Sequence, residues 1–207
     1  MTQLTPGEEL RQQFGDIDIY LFDLLLRGRF DARRRVLDAG CGDGRNLIWL
    51  LQHGFECYGV DAEPSAIDFV RQTASRLAPA LPSTNFIVAD LTRLPYPDGL
   101  MDVVICCAVL HFAADEGHFD AMVSEIWRVL APRGLLFARL ASNIGFENVV
   151  GPAGRQLRLP DGTDRFVVDE QMLVRSTVRL GGRLVDPIKT TNVQGKRCMT
   201  TWSMVKP

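Results

Sequence analysis

Apolar runs too short for anything but strands alternate along most of this chain with segments whose apolar residues recur every three or four positions. RRVLDAG precedes NLIWLLQHG, FECYGVD precedes PSAIDFVRQTASRL, NFIVAD leads to a proline-rich turn, and MDVVICCAVLHF precedes DEGHFDAMVSEIWRVL and then GLLFARL. That rhythm of strand and helix predicts βαβ units and a parallel sheet, an α/β fold. The strand runs are nearly continuous in apolar residues, as expected where helices cover both faces of a sheet. With 207 residues, 46% of them hydrophobic, the chain suits a single domain with a full core. That domain, 1–207, divides into a helical cap at 1–33, a ligand-binding core at 34–140, a substrate-covering segment at 141–168, and a helix with a C-terminal hairpin at 169–207.

Punctuation residues refine the pattern. Residues 8–30 read as one or two amphipathic helices, Gly54 stops the helix after the first strand, Pro64 starts the next, and Pro132 with Gly134 closes the long one. In the segment that begins at His118, the residues Phe119, Met122, Val123, Ile126, Val129 and Leu130 recur at helical spacing and predict a core face, while His118, starting this helix, and His53, ending an earlier one, are expected at the surface. Residues 141–168 lose periodicity and gain Gly, Pro and charge, the mark of a functional or mobile connection. Asp169 caps a last helix that ends at Gly181-Gly182. RLVDPIKTTNV and RCMTTWSMV are joined by a turn too short for anything but an antiparallel pair. Pro187 cannot donate a ladder hydrogen bond, which puts its strand at the sheet edge and the final strand inside, beside GLLFARL.

Charge and cysteine content exclude whole classes of function. The 23 basic and 25 acidic residues leave a formal charge of -2, with no basic footprint for nucleic acid and no polybasic segment for a membrane surface. No stretch approaches 18 uninterrupted apolar residues, and MTQLTPGEEL has neither a charged leader nor an apolar signal region, so a cytoplasmic protein is expected. Five cysteines without CxxC or zinc spacing predict reduced thiols packed as small hydrophobes, with Cys41 set apart by its place in a glycine loop. No metal site is expected.

That loop, VLDAGCGDGRN, has glycines at 40, 42 and 44 directly after the first strand. A strand running into such a turn and then a helix presents backbone N–H groups at the carboxyl edge of the sheet, where open α/β folds bind ligands. Asp61 ends the next strand, placed to accept hydrogen bonds from both hydroxyls of a ribose. Asp90, followed by Leu91, ends the third and could take an adenine amino group. A dinucleotide and a nucleoside thioether both suit this geometry, and charge separates them. The GxGxxG fingerprint of dinucleotide folds is not met, because Arg45 stands where its third glycine belongs. Asp38 and Asp43 lie in or beside the loop, and like charges at 4 Å repel by ~4 kcal/mol at an effective dielectric of 20. A pyrophosphate would feel that repulsion; S-adenosylmethionine, with an ammonium and a sulfonium, would not.

These motifs together resemble the class I S-adenosylmethionine-dependent methyltransferases over residues 34–140. LDAGCGDGRN is similar to the family's D/ExGxGxG loop, GVD to its acidic second strand, VADLTRLPYPDGLMDVVICCAVLHF to its third and fourth strands, and EIWRVLAPRGLLFARL to its long helix and fifth strand. Within the class, GDGRN and the hairpin ending resemble small-molecule enzymes of the tellurite-resistance kind. The resemblance implies a Rossmann-like, seven-stranded, mostly parallel sheet of order 3-2-1-4-5-7-6 with the last strand antiparallel. Carried over by position, Asp38, Gly40, Cys41 and Gly42 would flank the methionine part of the cofactor. Asp61 and Ala62 would meet the ribose, Asp90 and Leu91 the adenine, and Cys107 or its neighbours the amino group through a main-chain carbonyl. Tyr20 would either close over the cofactor as a lid or serve packing alone.

A methyl transferase of this kind needs alignment more than catalytic machinery. An alcohol or ammonium acceptor would want a base, and His111, just past the fourth strand, is the candidate, or else a piece of pocket wall. Arg139, with Ser142 and Asn143 beyond it, could bind an acidic substrate group or be a solvated strand end. The fourth strand lacks the Asp/Asn-Pro-Pro-aromatic signature of nucleobase amino-methyltransferases, and no Pro-Cys pair suggests a cytosine nucleophile. A small-molecule acceptor is therefore expected, with S-adenosylhomocysteine as the other product. Two other readings stand beside it: a cofactor-binding module without chemistry of its own, and an NAD-linked oxidoreductase.

Overall fold

The central strands of the sheet bury alternate residues against opposite layers of helices. The computed structural model describes residues 4–145, 155–159 and 162–207. β1 (Arg35–Ala39), β2 (Glu56–Asp61), β3 (Phe86–Val88), β4 (Met101–Cys107) and β5 (Leu130–Ala141) pair in parallel in the order β3-β2-β1-β4-β5. In β4, Val103, Ile105 and Cys107 face a cluster built with α2 (Ile19–Leu26), α3 (Ile48–Gln52) and α4 (Pro64–Leu77). Val104 and Cys106 face the other cluster, with α5 (Glu116–Val129) and α6 (Glu170–Arg179). That two-residue period explains why the strand reads as continuously apolar: both of its faces are core. Each fully buried Val, Ile or Leu contributes about 1.5–3 kcal/mol by leaving water.

Beyond β5 the sheet turns antiparallel. β10 (Arg197–Val205) pairs antiparallel with β5, and its outer side carries both β8 (Arg183–Leu184) and β9 (Lys189–Val193). The expected order 3-2-1-4-5-7-6 is thus present, with one correction: the edge strand is broken in two, so the sheet has eight strands. The break holds Asp186 and Pro187, and the register against β10 slips by two residues across it. Proline lacks the N–H that would have bridged the gap, which is why the interruption falls there and only at an edge.

Three other elements depart from the sequence pattern. α3 is only five residues long, because Asp43 to Leu47 form turns rather than the first helical turn. α5 is not closed by a turn at Pro132 and Gly134, since β5 begins at Leu130, directly after the helix. The 141–168 segment contains a hairpin, β6 (Gln156–Arg158) paired with β7 (Asp164–Phe166), which periodicity over three-residue strands could not reveal. Residues 146–154 and 160–161 of that segment lie outside the described residues. All five cysteines are buried, Cys41 included.

The N-terminal cap comprises α1 (Pro6–Phe14), started by a Thr5–Glu8 capping box, and α2, whose N-cap is Asp18. Asp18 holds the cap on the sheet. Its backbone N–H donates to Asn46 Oδ1 at 3.1 Å, and its Oδ2 accepts from Arg139 Nη1 at 2.6 Å. The Asp18 side chain is 1% exposed and that of Arg139 is 20% exposed. Breaking one side of such a buried pair leaves the other charge without its partner and typically costs about 3–5 kcal/mol, the lower end applying where one side chain keeps some solvent. Asp18→Ala is expected to lower unfolding stability by about 3 kcal/mol in urea titration, whereas Asp16→Ala, at the exposed pair with Arg11, should change it by less than about 0.5 kcal/mol.

Candidate active site

The turn after β1 is latched to β2. The N–H groups of Gly40 and Cys41 both donate to the Val60 carbonyl, at 2.8 and 2.9 Å, and the Gly42 N–H donates to Asp61 Oδ2 at 2.8 Å. Asp61 Oδ1 accepts from the Glu63 N–H at 3.0 Å. The loop's backbone donors are therefore largely spent inside the protein rather than free for a ligand carboxylate, and the glycines act through shape. Gly40 has φ 81° and a Cβ there would meet Val109 at 2.3 Å. At Gly42, φ 51°, a Cβ would meet nothing within 4 Å, so this is where the bare main chain opens onto space.

That space is a cavity of about 570 Å³ at the carboxyl edge of the sheet, within the usual range for small-molecule and cofactor sites. Of the residues singled out in the sequence, Gly40, Cys41, Gly42, Asp61, Ala62, Asp90, Leu91 and Cys107 all line it. Asp90 stands two residues beyond β3, exposed, with Oδ1 accepting from the Thr92 N–H and hydroxyl at 2.7 and 2.6 Å. Those bonds hold its carboxyl below the usual range. Ala108 lines the same cavity with φ 63°, a left-handed conformation for a non-glycine that costs about 1 kcal/mol, and its N–H is tied to the Arg139 carbonyl at 2.7 Å.

Asp38 lies behind the loop, 1% exposed, and neither of its carboxylate oxygens has a hydrogen-bond partner of good geometry. Burial pushes its pKa up to about 8; the Arg45 charge and Asn46 amide offset only part, and Asp61 and Asp43 add to the rise. A carboxyl group in that condition suits a cation arriving at the cavity and is ill suited to a phosphate.

Other predicted residues fall elsewhere. His111 sits in a short turn after β4, 6% exposed, outside the cavity lining, with its ring 4.7 Å from that of Phe112. Burial and the nearby Arg165 charge lower its pKa to about 4, and Nδ1 has no partner. Tyr20 also lies off the cavity: its hydroxyl bonds Thr191 Oγ1 at 2.6 Å and its ring lies under the Arg139 guanidinium at 5.1 Å. Arg139 is taken up by Asp18 instead of being free. The Asn143 N–H donates to the Val168 carbonyl at 2.9 Å, and its Oδ1 is buried without a partner.

His118, expected at the surface, instead lines the cavity, half-buried, with Nδ1 accepting from the Ala114 N–H at 3.0 Å; Met122, one turn on, lines it too. Met122 belongs to the face whose spacing predicts core, because a cavity wall and a core face have the same period. Phe112 also lines the cavity, 61% exposed, with Arg165 of the hairpin 4.7 Å over its ring. Nothing in the sequence tied Arg165 to that ring, since they are brought together only by the hairpin's docking, through Gln156 to the Ala113 and Ala114 carbonyls.

A methyltransferase-domain family model matches residues 37–138, the stretch that builds β1 through β5 and this cavity. The chain belongs to the class I S-adenosylmethionine-dependent methyltransferase family. Among its relatives, it is 32% identical to the putative methyltransferase YqeM of Bacillus subtilis, over 56% of this chain and 45% of that one. To the demethylmenaquinone methyltransferase of Deinococcus radiodurans it is 39% identical, over 50% and 41%. Among solved structures, the magnesium protoporphyrin IX methyltransferase of Synechocystis PCC 6803 with bound S-adenosylhomocysteine superposes with TM-score 0.67 at 21% identity, over all of this chain and 90% of that one. The chain spans about half the length of the curated relatives it matches. Among the described residues no helix of this methyltransferase fold is long and apolar enough to cross a membrane, and no cluster of metal-ligating side chains occurs.

The condition of Asp38 has a measurable consequence. Between its ordinary pKa of 3.8 and its folded value of about 8, the folded protein holds a proton the unfolded chain has lost, so stability falls as pH rises through that window, by up to about 1.4 kcal/mol per pH unit. Asp38→Asn is expected to flatten this decline and to melt above the parent at pH 8, as read by thermal unfolding between pH 5 and 8.

Proposed function

We propose that this protein transfers a methyl group from S-adenosylmethionine to a small-molecule acceptor. The observation that carries the reading is the unpartnered, buried Asp38 carboxyl behind a loop that opens, at Gly42, onto a cavity with Asp61 on its wall. A cation satisfies that carboxyl and a pyrophosphate does not. When bound, the cofactor supplies an electrophilic methyl group for in-line displacement, with a good leaving group already attached.

The chain's own residues have positioning work. Asp61, fixed by the Gly42 and Glu63 N–H groups, presents its remaining lone pairs to the ribose hydroxyls, and Ala62 packs beside it. Asp90 and Leu91 take the adenine edge, and the Cys107 to Val109 backbone borders the methionine end. Phe112 and Met122 exclude water from the transfer path, which strengthens every polar contact inside. His111, with its pKa near 4, is a weak base at neutral pH and belongs to the wall behind Phe112; an effective base has a pKa near the working pH. The small-molecule class is supported by the near-neutral charge of the chain and by the relative named for demethylmenaquinone.

Calorimetry with S-adenosylmethionine tests the binding, and S-adenosylhomocysteine formation across metabolite fractions tests the chemistry. Asp61→Ala is expected to weaken the cofactor ~10- to 100-fold, ~1.5–3 kcal/mol for one charge-assisted interaction. Between pH 5.5 and 7, binding should release close to one proton, because a cation beside Asp38 favours its carboxylate, and Asp38→Asn should abolish that release. NAD binding tighter than S-adenosylmethionine would overturn the assignment, and tight binding with no product in any fraction would favour a module without chemistry.

A further inference from the structure

We propose that the opposite, amino edge of the sheet carries a second binding site, an arginine groove for a compact, multiply charged phosphoryl anion free in solution. The groove, about 510 Å³, is lined by Arg29, Arg33, Arg133, Arg183 and Lys206, and an adjoining groove shares Arg33 and Arg133. These side chains come from three places that the topology brings together: the segment before β1, the start of β5, and the paired ends of β8 and β10.

The charges there are offset only at a distance, by Asp102 on Arg33, Asp186 on Arg29 and Asp98 on Lys206. Among the described residues none of Arg29, Arg33, Arg133 and Arg183 forms an ion pair. The neighbouring carboxylate, Asp102, is spent on the backbone N–H groups of Arg34 and Arg35 and on the Arg35 side chain. The Lys206 ammonium turns inward to the carbonyls of Trp127 and Leu130, at 2.6 and 2.8 Å. Arg33 organises the rest: Nη1 donates to the Arg29 carbonyl at 2.5 Å and Nη2 to the Arg133 carbonyl at 3.0 Å, while its Nε is buried without a partner. Burial, together with repulsion from Arg29 and Arg133, lowers the Arg33 pKa despite the opposing pull of Asp102.

Backbone strain falls on the same spot. Arg133 has φ 63° and its N–H is tied to the Lys206 carbonyl at 3.0 Å. Glycine or asparagine would hold that conformation without the cost of about 1 kcal/mol that other L-residues incur. Mutual repulsion and a strained arginine both oppose folding, and both are relieved or justified by an anion in the groove. Guanidinium groups pair two-pronged with phosphoryl oxygens, and several converging on one concavity suit a diphosphate better than a single charge. An extended polyanion suits it less, because the chain as a whole carries a charge of -2 and would repel it beyond the groove.

Calorimetry on the full chain with inorganic pyrophosphate is the direct test, with orthophosphate and vesicles of anionic phospholipid as parallel arms. Pyrophosphate is expected to bind at least tenfold tighter than orthophosphate. The Arg133→Gly, Arg183→Ala double variant should lose at least tenfold in pyrophosphate affinity while melting no lower than the parent, since glycine relieves the strain, and its affinity for S-adenosylmethionine should be unchanged. Equal pyrophosphate affinity in parent and variant, absence of binding at low salt, or binding to vesicles alone would each overturn the proposal.

Discussion

The structure turns on the latch between the first two strand tips. Val60 accepts two N–H groups of the turn after β1, and Asp61 accepts a third. With these three bonds made, the loop is forced through left-handed conformations at Gly40, Gly42 and Gly44, and the main chain bows away from the sheet to leave a cavity. The latch also decides the state of Asp38: with the loop folded over it and its donors turned toward β2, that carboxyl has only the Arg45 charge and the Asn46 amide to offset part of its burial. A carboxyl whose pKa is raised to about 8 results. On the proposed reading, stability and binding are in opposition at this residue, as at other sites where a fold retains an unsatisfied group for its ligand.

The parts of this arrangement that were legible in the sequence are those with a local signal. Strand runs, the glycine spacing and the acids at positions 38, 61 and 90 are each readable within ten residues, and the edge position of the Pro187 segment follows from one missing N–H. What stayed hidden depends on distant pairing. Arg139 read as a free cation at a strand end because Asp18, its partner, lies 121 positions away, on a helix cap whose own sequence shows only an N-cap aspartate. Tyr20 read as a candidate lid, and its hydroxyl is instead anchored to Thr191, 171 positions away. Met122 was hidden differently, since helical periodicity records that a face is covered without saying whether side chains or a cavity cover it.

The same pairings explain how a short N-terminal cap stays in place. α1 has no buried residue and α2 has only Leu21 and Leu24, too little apolar area to hold two helices against entropy unaided. Polar contacts supply the rest: Asp18 to Asn46 and Arg139, Arg45 to the Asp16 carbonyl at 2.9 Å, and Arg45 to Cys107 Sγ at 3.3 Å. Asn46, Arg45 and Cys107 also line the cavity. The cap and the cavity therefore share residues.

A net charge of -2 conceals a strong separation of charge along the strand direction. At the carboxyl edge Asp43, Asp61, Glu63 and Asp90 line one cavity above the buried Asp38, with Arg45 the one arginine among the lining residues. At the amino edge four arginines meet in one groove with no ion pair among them. Strand direction accounts for the sorting: β1 to β5 are parallel, so residues preceding them gather at one edge and residues following them at the other, whatever their distance in sequence. A composition count averages over both edges, and so a reading of the whole chain's charge does not register where residues of each sign gather.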